Sequence, residues 1–188
     1  SDHPASDRRA ALWSFMPVYN EEEGRWNGFY VAYTVHPTIA PNHSFGRIWR
    51  AASQTPGIGG VGGPYEDIEI VMEPGLESHA WEGRQGVDSF FPYQVDDTWY
   101  ALYGGAFPFE NDNRIEGTRG KWFVGLAESS KLAGPWLRMG KDVNPVTSIH
   151  PWFVENPIIT QLPEQTYIAM FDGGPERLKL PNMFGYSL

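Results

Sequence analysis

Short runs of aromatic and aliphatic residues, separated by glycine, proline and acidic residues, recur along the chain. Residues 29–34 (FYVAYT), 99–104 (WYALYG) and 166–171 (TYIAMF) each place aromatic rings around small or aliphatic side chains, at intervals of about 70 residues. Bulky rings favour the pleated surface of a sheet, and glycine and proline mark tight connections. The pattern therefore predicts an all-β protein built from short strands.

The residues that follow the first two aromatic strands repeat in the same order. Residues 46–53 (GRIWRAAS) resemble residues 121–129 (KWFVGLAES), with a fainter copy at 183–187 (MFGYS). A Gly-Pro-aromatic step then follows at 63–65 and at 134–136. Proline fits the start of an edge strand, because its missing N–H removes no central hydrogen bond of the sheet. We therefore expect a fourth strand after each of these steps.

An entry strand precedes each aromatic strand, at residues 12–17 (LWSFMP), 87–92 (VDSFFP) and 154–159 (VENPII). Each unit thus has an entry strand, an aromatic strand, a strand that ends in serine and an edge strand. The predicted units are residues 12–79, residues 86–146 and an incomplete unit at residues 152–188.

Repeated four-stranded units predict a β-propeller, and the pattern leaves open a double-sheet sandwich whose strands merely look alike. A propeller ring needs at least about four blades to close. We therefore expect the remaining blades to come from a missing segment or from a second chain.

The composition narrows the classes of partner. The chain has 188 residues, 41% of them hydrophobic, which is enough to bury a core, and its net charge of −9 disfavours binding to the phosphate backbone of a nucleic acid. It has no cysteine, so disulfides and thiolate metal sites are excluded. No apolar run approaches the length of a membrane span, and residues 1–4 (SDHP) do not resemble an export signal. The compartment stays open, with secretion or the periplasm favoured.

Asp88 and Glu155 are the candidate catalytic residues. They fall at the same offset before their aromatic strands, and Trp13 takes the equivalent place in the first unit. The innermost strands of a propeller line its central channel, so equivalent residues of successive blades converge there. Glycoside hydrolysis uses such a carboxyl pair, one of which protonates the leaving oxygen. The alternative is that both are solvated carboxylates at strand ends, although each lies beside an apolar run where an unpaired charge is costly.

The same segments resemble a known group of enzymes. Residues 86–91 followed by 99–104 look like the second blade of the five-bladed β-propeller glycosidases, the group that contains glycoside hydrolase families 43, 32, 62 and 68. Residues 154–157 before 167–171 are similar to the third-blade segment in which a glutamate followed closely by proline is the general acid. Residues 129–136 (SSKLAGPW) resemble the connection into the outer strand. The resemblance implies a five-bladed propeller, of which this chain holds about two and a half blades.

By this resemblance Glu155 is the general acid, and Asp88 is the carboxylate that tunes its pKa and orients the sugar. The chain departs from the family pattern at Trp13, where those enzymes have an aspartate that acts as base or nucleophile. Asp2 or Asp7 supplies this group if the entry strand is displaced. Otherwise the missing blades supply it, or the protein is not a standard hydrolase.

Four further residues are expected to contact a substrate: Trp13, Phe90, His150 and Trp152. The three rings can stack on the C–H face of a sugar, and His150 lies close to the third entry strand. The alternative is that the rings belong to the core and the histidine is structural. We expect no cofactor and no metal site, because the histidines show no spacing typical of zinc ligands and a structural calcium ion is not indicated.

We therefore predict a glycoside hydrolase that acts on a plant or marine poly- or oligosaccharide by carboxylate acid/base catalysis. A non-catalytic carbohydrate-binding propeller is the first alternative, favoured by the absent first-blade aspartate. A glycoside phosphorylase is the second, and the scarcity of arginine and histidine near the two acids disfavours it.

Overall fold

The computed structural model describes residues 9–36, 40–82, 86–107, 121–146, 154–173 and 184–187. Within these ranges the chain forms β-strands and short 3-10 helices, and no α-helix. No helix in the described ranges is long and apolar enough to cross a membrane. The predicted all-β class is confirmed.

The first sheet has four antiparallel strands in chain order. They are β1 (Arg9–Asn20), β2 (Arg25–His36), β3 (Ala40–Ser53) and β4 (Tyr65–Met72). The turn between β1 and β2 uses Gly24 at φ 63°, a conformation that glycine adopts without a steric penalty. A 3-10 helix at Ile58–Gly62 lies between β3 and β4.

The second sheet repeats this order with β5 (Val87–Val95), β6 (Thr98–Phe107), β7 (Lys121–Ser129) and β8 (Leu137–Arg138). A 3-10 helix at Ala80–Glu82 lies between the first two sheets. The third sheet contains β9 (Val154–Gln161), β10 (Tyr167–Gly173) and β11 (Phe184–Ser187), with β10 in the middle.

Two serines show why the strands before the Gly-Pro steps end where they do. The hydroxyl oxygen of Ser53 accepts a 3.2 Å hydrogen bond from the backbone N–H of Thr55, and that of Ser129 accepts one of 3.2 Å from the N–H of Lys131. Such bonds offer the backbone an alternative to the sheet ladder and so favour a turn. The matching of residues 46–53 with residues 121–129 therefore holds in the structure.

The sheets pack face to face. The interface between the first two sheets is the largest apolar cluster of the described residues, with Phe29, Val31 and Ile48 on one side and Phe90 and Tyr103 on the other. The opposite face of the second sheet packs Leu102 and Val124 against the third sheet at Ile159, Ala169 and Phe171. Because successive side chains of a strand point to opposite faces, the second sheet contributes alternate residues to both interfaces.

The strand pairing corrects one alignment made from the sequence. Trp13 and Asp88 take equivalent places in their units, and their partners are Val31 and Gly104, so these two residues are equivalent as well. The residues just before them, Tyr30 and Tyr103, therefore correspond to each other. The aromatic runs 29–34 and 99–104 instead align Tyr33 with Tyr103. The alignment from the sequence was wrong because β2 has a tyrosine at both position 30 and position 33. The residue type alone does not show which of the two faces which sheet.

Candidate active site

The innermost strands of the three sheets share one backbone irregularity. Each has a register shift next to the predicted site position, which is Trp13 in β1, Asp88 in β5 and Glu155 in β9. The residue that follows has a positive φ in all three strands: Ser14 (53°), Ser89 (34°) and Asn156 (50°). Non-glycine residues rarely adopt this conformation, and bulges of this kind re-aim side chains. The three positions are therefore equivalent in the backbone.

Asp88 is a buried carboxylate at the start of β5. Its Oδ1 atom accepts a 2.8 Å hydrogen bond from the backbone N–H of Ser89. The paired residue on β6 is Gly104, where a Cβ atom would lie 3.0 Å from the hydroxyl oxygen of Ser89. That hydroxyl group is buried and has no hydrogen-bond partner among the described residues. The carboxylate of Asp88 and the hydroxyl group of Ser89 thus belong to consecutive residues of the innermost strand.

Gly86 anchors the start of β5 to the first sheet. It forms a parallel bridge with Gly46 of β3 and has a φ of 80°. A Cβ atom on Gly86 would lie 2.8 Å from the backbone nitrogen and oxygen of Gly46. The two backbones can approach this closely because Gly86 has no side chain, and the contact positions Asp88 relative to the first sheet.

Glu155 has a described backbone, which pairs with Asp172 of β10. The side chain of Glu155 lies outside the described part of the structure, and so do His150 and Trp152. The roles assigned to these three residues stay predictions.

Trp13 lies on the opposite side of the first sheet from the second sheet. Its side chain is 54% exposed and lines an open cavity of about 410 Å³ together with Phe15, Tyr30 and Tyr65. Asp67 also lines this cavity, and its Oδ1 atom accepts a 2.6 Å hydrogen bond from the Tyr30 hydroxyl group. The first sheet therefore has an exposed aromatic side chain, Trp13, at the position where the second sheet has Asp88.

Phe90 lies in the core between the first two sheets. It is 2% exposed, and its ring centroid lies 5.4 Å from that of Phe29 and 5.0 Å from that of Trp136. A ring packed in this way has no free face for a sugar. In the structure Phe90 supports the strand that carries Asp88, because it follows the bulge residue Ser89 directly.

A buried ion pair that the sequence did not indicate lies between the 3-10 helix Ala80–Glu82 and the second sheet. Glu82 is 1% exposed and receives hydrogen bonds of 2.9 Å from Nε and from Nη2 of Arg138. The Tyr103 hydroxyl group donates a 3.2 Å hydrogen bond to the same carboxylate. Burial, followed by the negative charge of Glu82, raises the pKa of Tyr103. The pair joins the segment between the sheets to the outer strand β8.

Trp81 fills the space beside this ion pair. Its ring stacks on Tyr103 at 5.6 Å between centroids, and His79 stacks on its other face at 5.9 Å. Gly105 and Gly125 make room for the indole, because a Cβ atom on either would lie 2.7 Å from it. The imidazole Nε2 of His79 lies 2.9 Å from the carbonyl oxygen of Met139, so this histidine has a structural contact. Across the described residues no cluster of three or more histidine and acidic side chains is arranged to hold a metal ion.

No family model and no curated protein sequence matches the chain. Solved structures do match. A family-43 β-xylosidase/α-arabinofuranosidase from a compost microbial metagenome, in complex with xylotriose, aligns with 87% of this chain and 43% of its own at 14% identity and a TM-score of 0.60. A family 117 glycoside hydrolase from the marine bacterium Zobellia galactanivorans aligns with 98% of this chain and 54% of its own at 15% identity and a TM-score of 0.60.

An endo-arabinase from Bacteroides thetaiotaomicron aligns with 94% of this chain and 55% of its own, at 14% identity and a TM-score of 0.56. The chain thus spans about half the length of the solved structures that it matches. Identity at this level shows the fold alone. The chain has the fold of consecutive blades of a β-propeller, and the structures that it resembles are five-bladed propeller glycoside hydrolases.

Proposed function

We propose that the chain carries part of the active centre of a propeller glycoside hydrolase that acts on a poly- or oligosaccharide. The observation that supports this most is the shared backbone position of Asp88 and Glu155. Each precedes a positive-φ residue on the innermost strand of its sheet, and the two sheets are adjacent. Strained backbone of this kind clusters at functional sites. The likeness in fold to glycoside hydrolases points in the same direction.

In this proposal Glu155 protonates the leaving glycosidic oxygen. Asp88 keeps the carboxyl group of Glu155 protonated until that step. A nearby carboxylate disfavours the ionised form of its neighbour and so raises the neighbour's pKa. Asp88 is buried, so solvent and salt screen its charge weakly. In the same proposal Asp88, one carboxylate oxygen of which accepts a hydrogen bond from the backbone N–H of Ser89, also orients a sugar hydroxyl group.

The substrate class that we propose is a pentose-containing glycan. One neighbour is a β-xylosidase/α-arabinofuranosidase in complex with xylotriose, and another is an endo-arabinase. The base or nucleophile comes from outside the described residues, since the first-sheet position holds Trp13.

The direct test is Glu155→Gln, assayed on xylotriose, arabino-oligosaccharides and algal oligosaccharides. General acid catalysis contributes about 10²–10⁴-fold to a rate, and we expect a loss of that order with little change in stability. The matched control is Glu164→Gln, an exposed glutamate in the β9–β10 turn, which should keep full activity. Unchanged turnover by Glu155→Gln would exclude its assignment as the acid.

A second variant tests the role of Asp88. Asp88→Asn removes a negative neighbour of Glu155, so the pKa of Glu155 should fall. The acid then loses its proton at a lower pH, and the alkaline limb of kcat/KM should move to lower pH. Asp97→Asn, in the exposed β5–β6 turn, is the control and should leave the profile in place.

A non-catalytic carbohydrate-binding propeller is the second candidate, favoured by Trp13 at the position where the resembling enzymes have an aspartate. In that case a glycan array would show binding and no reducing ends would form. Asp88→Asn would then change the affinity, because there would be no rate to change.

A further inference from the structure

The residue opposite the site position differs among the three sheets. Each site position has one directly paired residue on the neighbouring strand: Val31 for Trp13, Gly104 for Asp88 and Asp172 for Glu155. Val31 is buried in the core between the first two sheets, and Gly104 leaves room for the hydroxyl group of Ser89. The third sheet differs from the other two, because it places a second carboxylic acid opposite its site position.

Strand pairing determines how close Glu155 and Asp172 are. The structure describes the backbone of both residues, which are directly opposite each other in the antiparallel pair of β9 and β10. Directly opposite residues of such a pair have Cβ atoms about 4.5–5.5 Å apart. The distance from Asp88 to Glu155 depends on packing between two sheets, whereas that from Asp172 to Glu155 depends on the strand register alone. Asp172 is thus an acidic neighbour of Glu155 within the same sheet.

An acidic pair at this place works against the stability of the sheet, because like charges directly opposite each other repel. The described strands of the third sheet offer no counter-charge, since β9, β10 and β11 contain no lysine, arginine or histidine. By contrast, the buried carboxylate of Glu82 is paired with Arg138. Two acids without a cation in their own sheet are expected where function, and not folding, selects the residues.

The strands of the second sheet that pack against β9 add one acidic residue near the pair. They are β5, β6 and β7, and β5 has Asp88 at the position equivalent to Glu155. Tyr103 faces the first sheet, and Lys121 is the first residue of β7, where it pairs with Phe107. The other titratable residues of these strands and of β10 lie together at the opposite end of the two sheets: Tyr93, Tyr100, Glu128 and Tyr167.

We propose that Asp172 is a positioning residue for Glu155, whose carboxyl group it keeps protonated until the glycosidic oxygen takes the proton. The inference rests on the proposed function, because that function gives Glu155 the role of the acid. A carboxylate at this distance disfavours the ionised form of its neighbour, so the pair keeps one proton over a wide range of pH. Glutamate is the weaker acid, with an ordinary pKa of about 4.3 against about 3.9 for aspartate, so the proton stays on Glu155.

Carbon-13 NMR titration of the glutamate carboxyl groups tests the pair without any substrate, and Glu155→Gln identifies the Glu155 resonance. Asp172→Asn should move the titration of Glu155 to lower pH by about one pH unit. Asp172→Ser is a second neutral variant and should give the same shift. Asp172→Glu keeps the negative charge and should retain most of the original titration.

Two results of the titration would overturn the proposal. One is a Glu155 titration that does not move in either neutral variant while circular dichroism stays that of the unmodified chain. The other is a shift in Asp172→Glu as large as that in Asp172→Asn, because a change of local structure, and not of charge, would then be the cause.

The pH dependence of kcat/KM on xylotriose and arabino-oligosaccharides separates this inference from the proposed function. Asp172→Asn should move the alkaline limb to lower pH, and the double variant with Asp88→Asn should move it further. Asp97→Asn, in the exposed β5–β6 turn, should leave the limb in place. A chain that cleaves no glycan contradicts the proposed function, while the NMR titration still decides whether Asp172 acts on Glu155. An active Asp172→Asn variant with an unmoved limb overturns this inference alone.

Discussion

The backbone N–H of Ser89 donates a 2.8 Å hydrogen bond to Oδ1 of Asp88, while the buried hydroxyl group of Ser89 has no partner within the part of the chain that the structure describes. The residue that fixes the candidate catalytic carboxylate therefore also holds an unsatisfied polar group beside it. A buried hydroxyl group in this state costs about 1–3 kcal/mol of stability. Such a cost is expected at a site where function, and not folding, selects the residue.

Ser89→Ala should raise the free energy of unfolding by about 1 kcal/mol, because it removes the unsatisfied hydroxyl group and keeps the backbone conformation. Urea denaturation measures the change. Ser53→Ala is the control: its hydroxyl group donates a 2.7 Å hydrogen bond to the carbonyl oxygen of Gly60, so its loss should destabilise the chain. Equal losses in the two variants would contradict the view that the Ser89 hydroxyl group is unpaired.

Arg138→Met should lower the free energy of unfolding by about 3–5 kcal/mol, because it leaves the buried carboxylate of Glu82 without its counter-charge. The double variant Glu82→Gln with Arg138→Met should recover part of this loss, and a double-mutant cycle in urea measures the coupling. Lys131→Met is the control, since its contact with Glu22 is 3.8 Å long and both side chains are exposed. It should cost at most about 1 kcal/mol. Additive single losses at Glu82 and Arg138 would show that the two side chains do not act as a pair.

Gly125→Ala should destabilise the chain by about 1–3 kcal/mol, because the added methyl group overpacks the space filled by Trp81. The new Cβ atom would lie 2.5 Å from the Tyr103 ring and 2.7 Å from Trp81. Gly62→Ala is the matched control, since no atom lies within 4 Å of its Cβ position. Thermal unfolding and near-ultraviolet circular dichroism report stability and indole packing. If the Gly125→Ala protein is as stable as the Gly62→Ala protein, the packing of Trp81 against Gly125 is contradicted.

Tyr93→Phe should make the chain more resistant to alkali. Burial, and then the neighbouring Tyr100 and Tyr167, raise the pKa of Tyr93 from 10.0 to about 12. The folded chain thus favours the protonated phenol, so its stabilising effect is complete below pH 10.0 and is lost as the pH rises through about 12. Urea midpoints measured across this window should fall less in Tyr93→Phe than in the unmodified chain. Tyr19→Phe, in the first hairpin, controls for the loss of a phenol elsewhere, and parallel curves for all three proteins would reject the linkage.

The sequence alone determined the strand order of each unit and the equivalence of Asp88 with Glu155. Both depend on local features: rings favour strands, the Gly-Pro steps begin edge strands, and the bulge follows a short motif around each site position. Local conformation is decided by neighbouring residues, so one sequence is enough to predict it. The likeness in fold to propeller glycosidases agrees with this prediction.

Only the tertiary structure decided which face of each strand is buried and against what. Phe15 and Phe90 each follow the serine of an equivalent bulge, yet Phe15 is exposed and Phe90 is core, because the first sheet covers Phe90 and no sheet of the described residues covers Phe15. The alignment of β2 with β6 could likewise not be predicted from neighbouring residues. The same holds for the ion pair of Glu82 with Arg138, because its partners are 56 positions apart in the sequence. Burial and charge pairing depend on contacts between sheets, and no short segment of the chain contains both partners of such a contact.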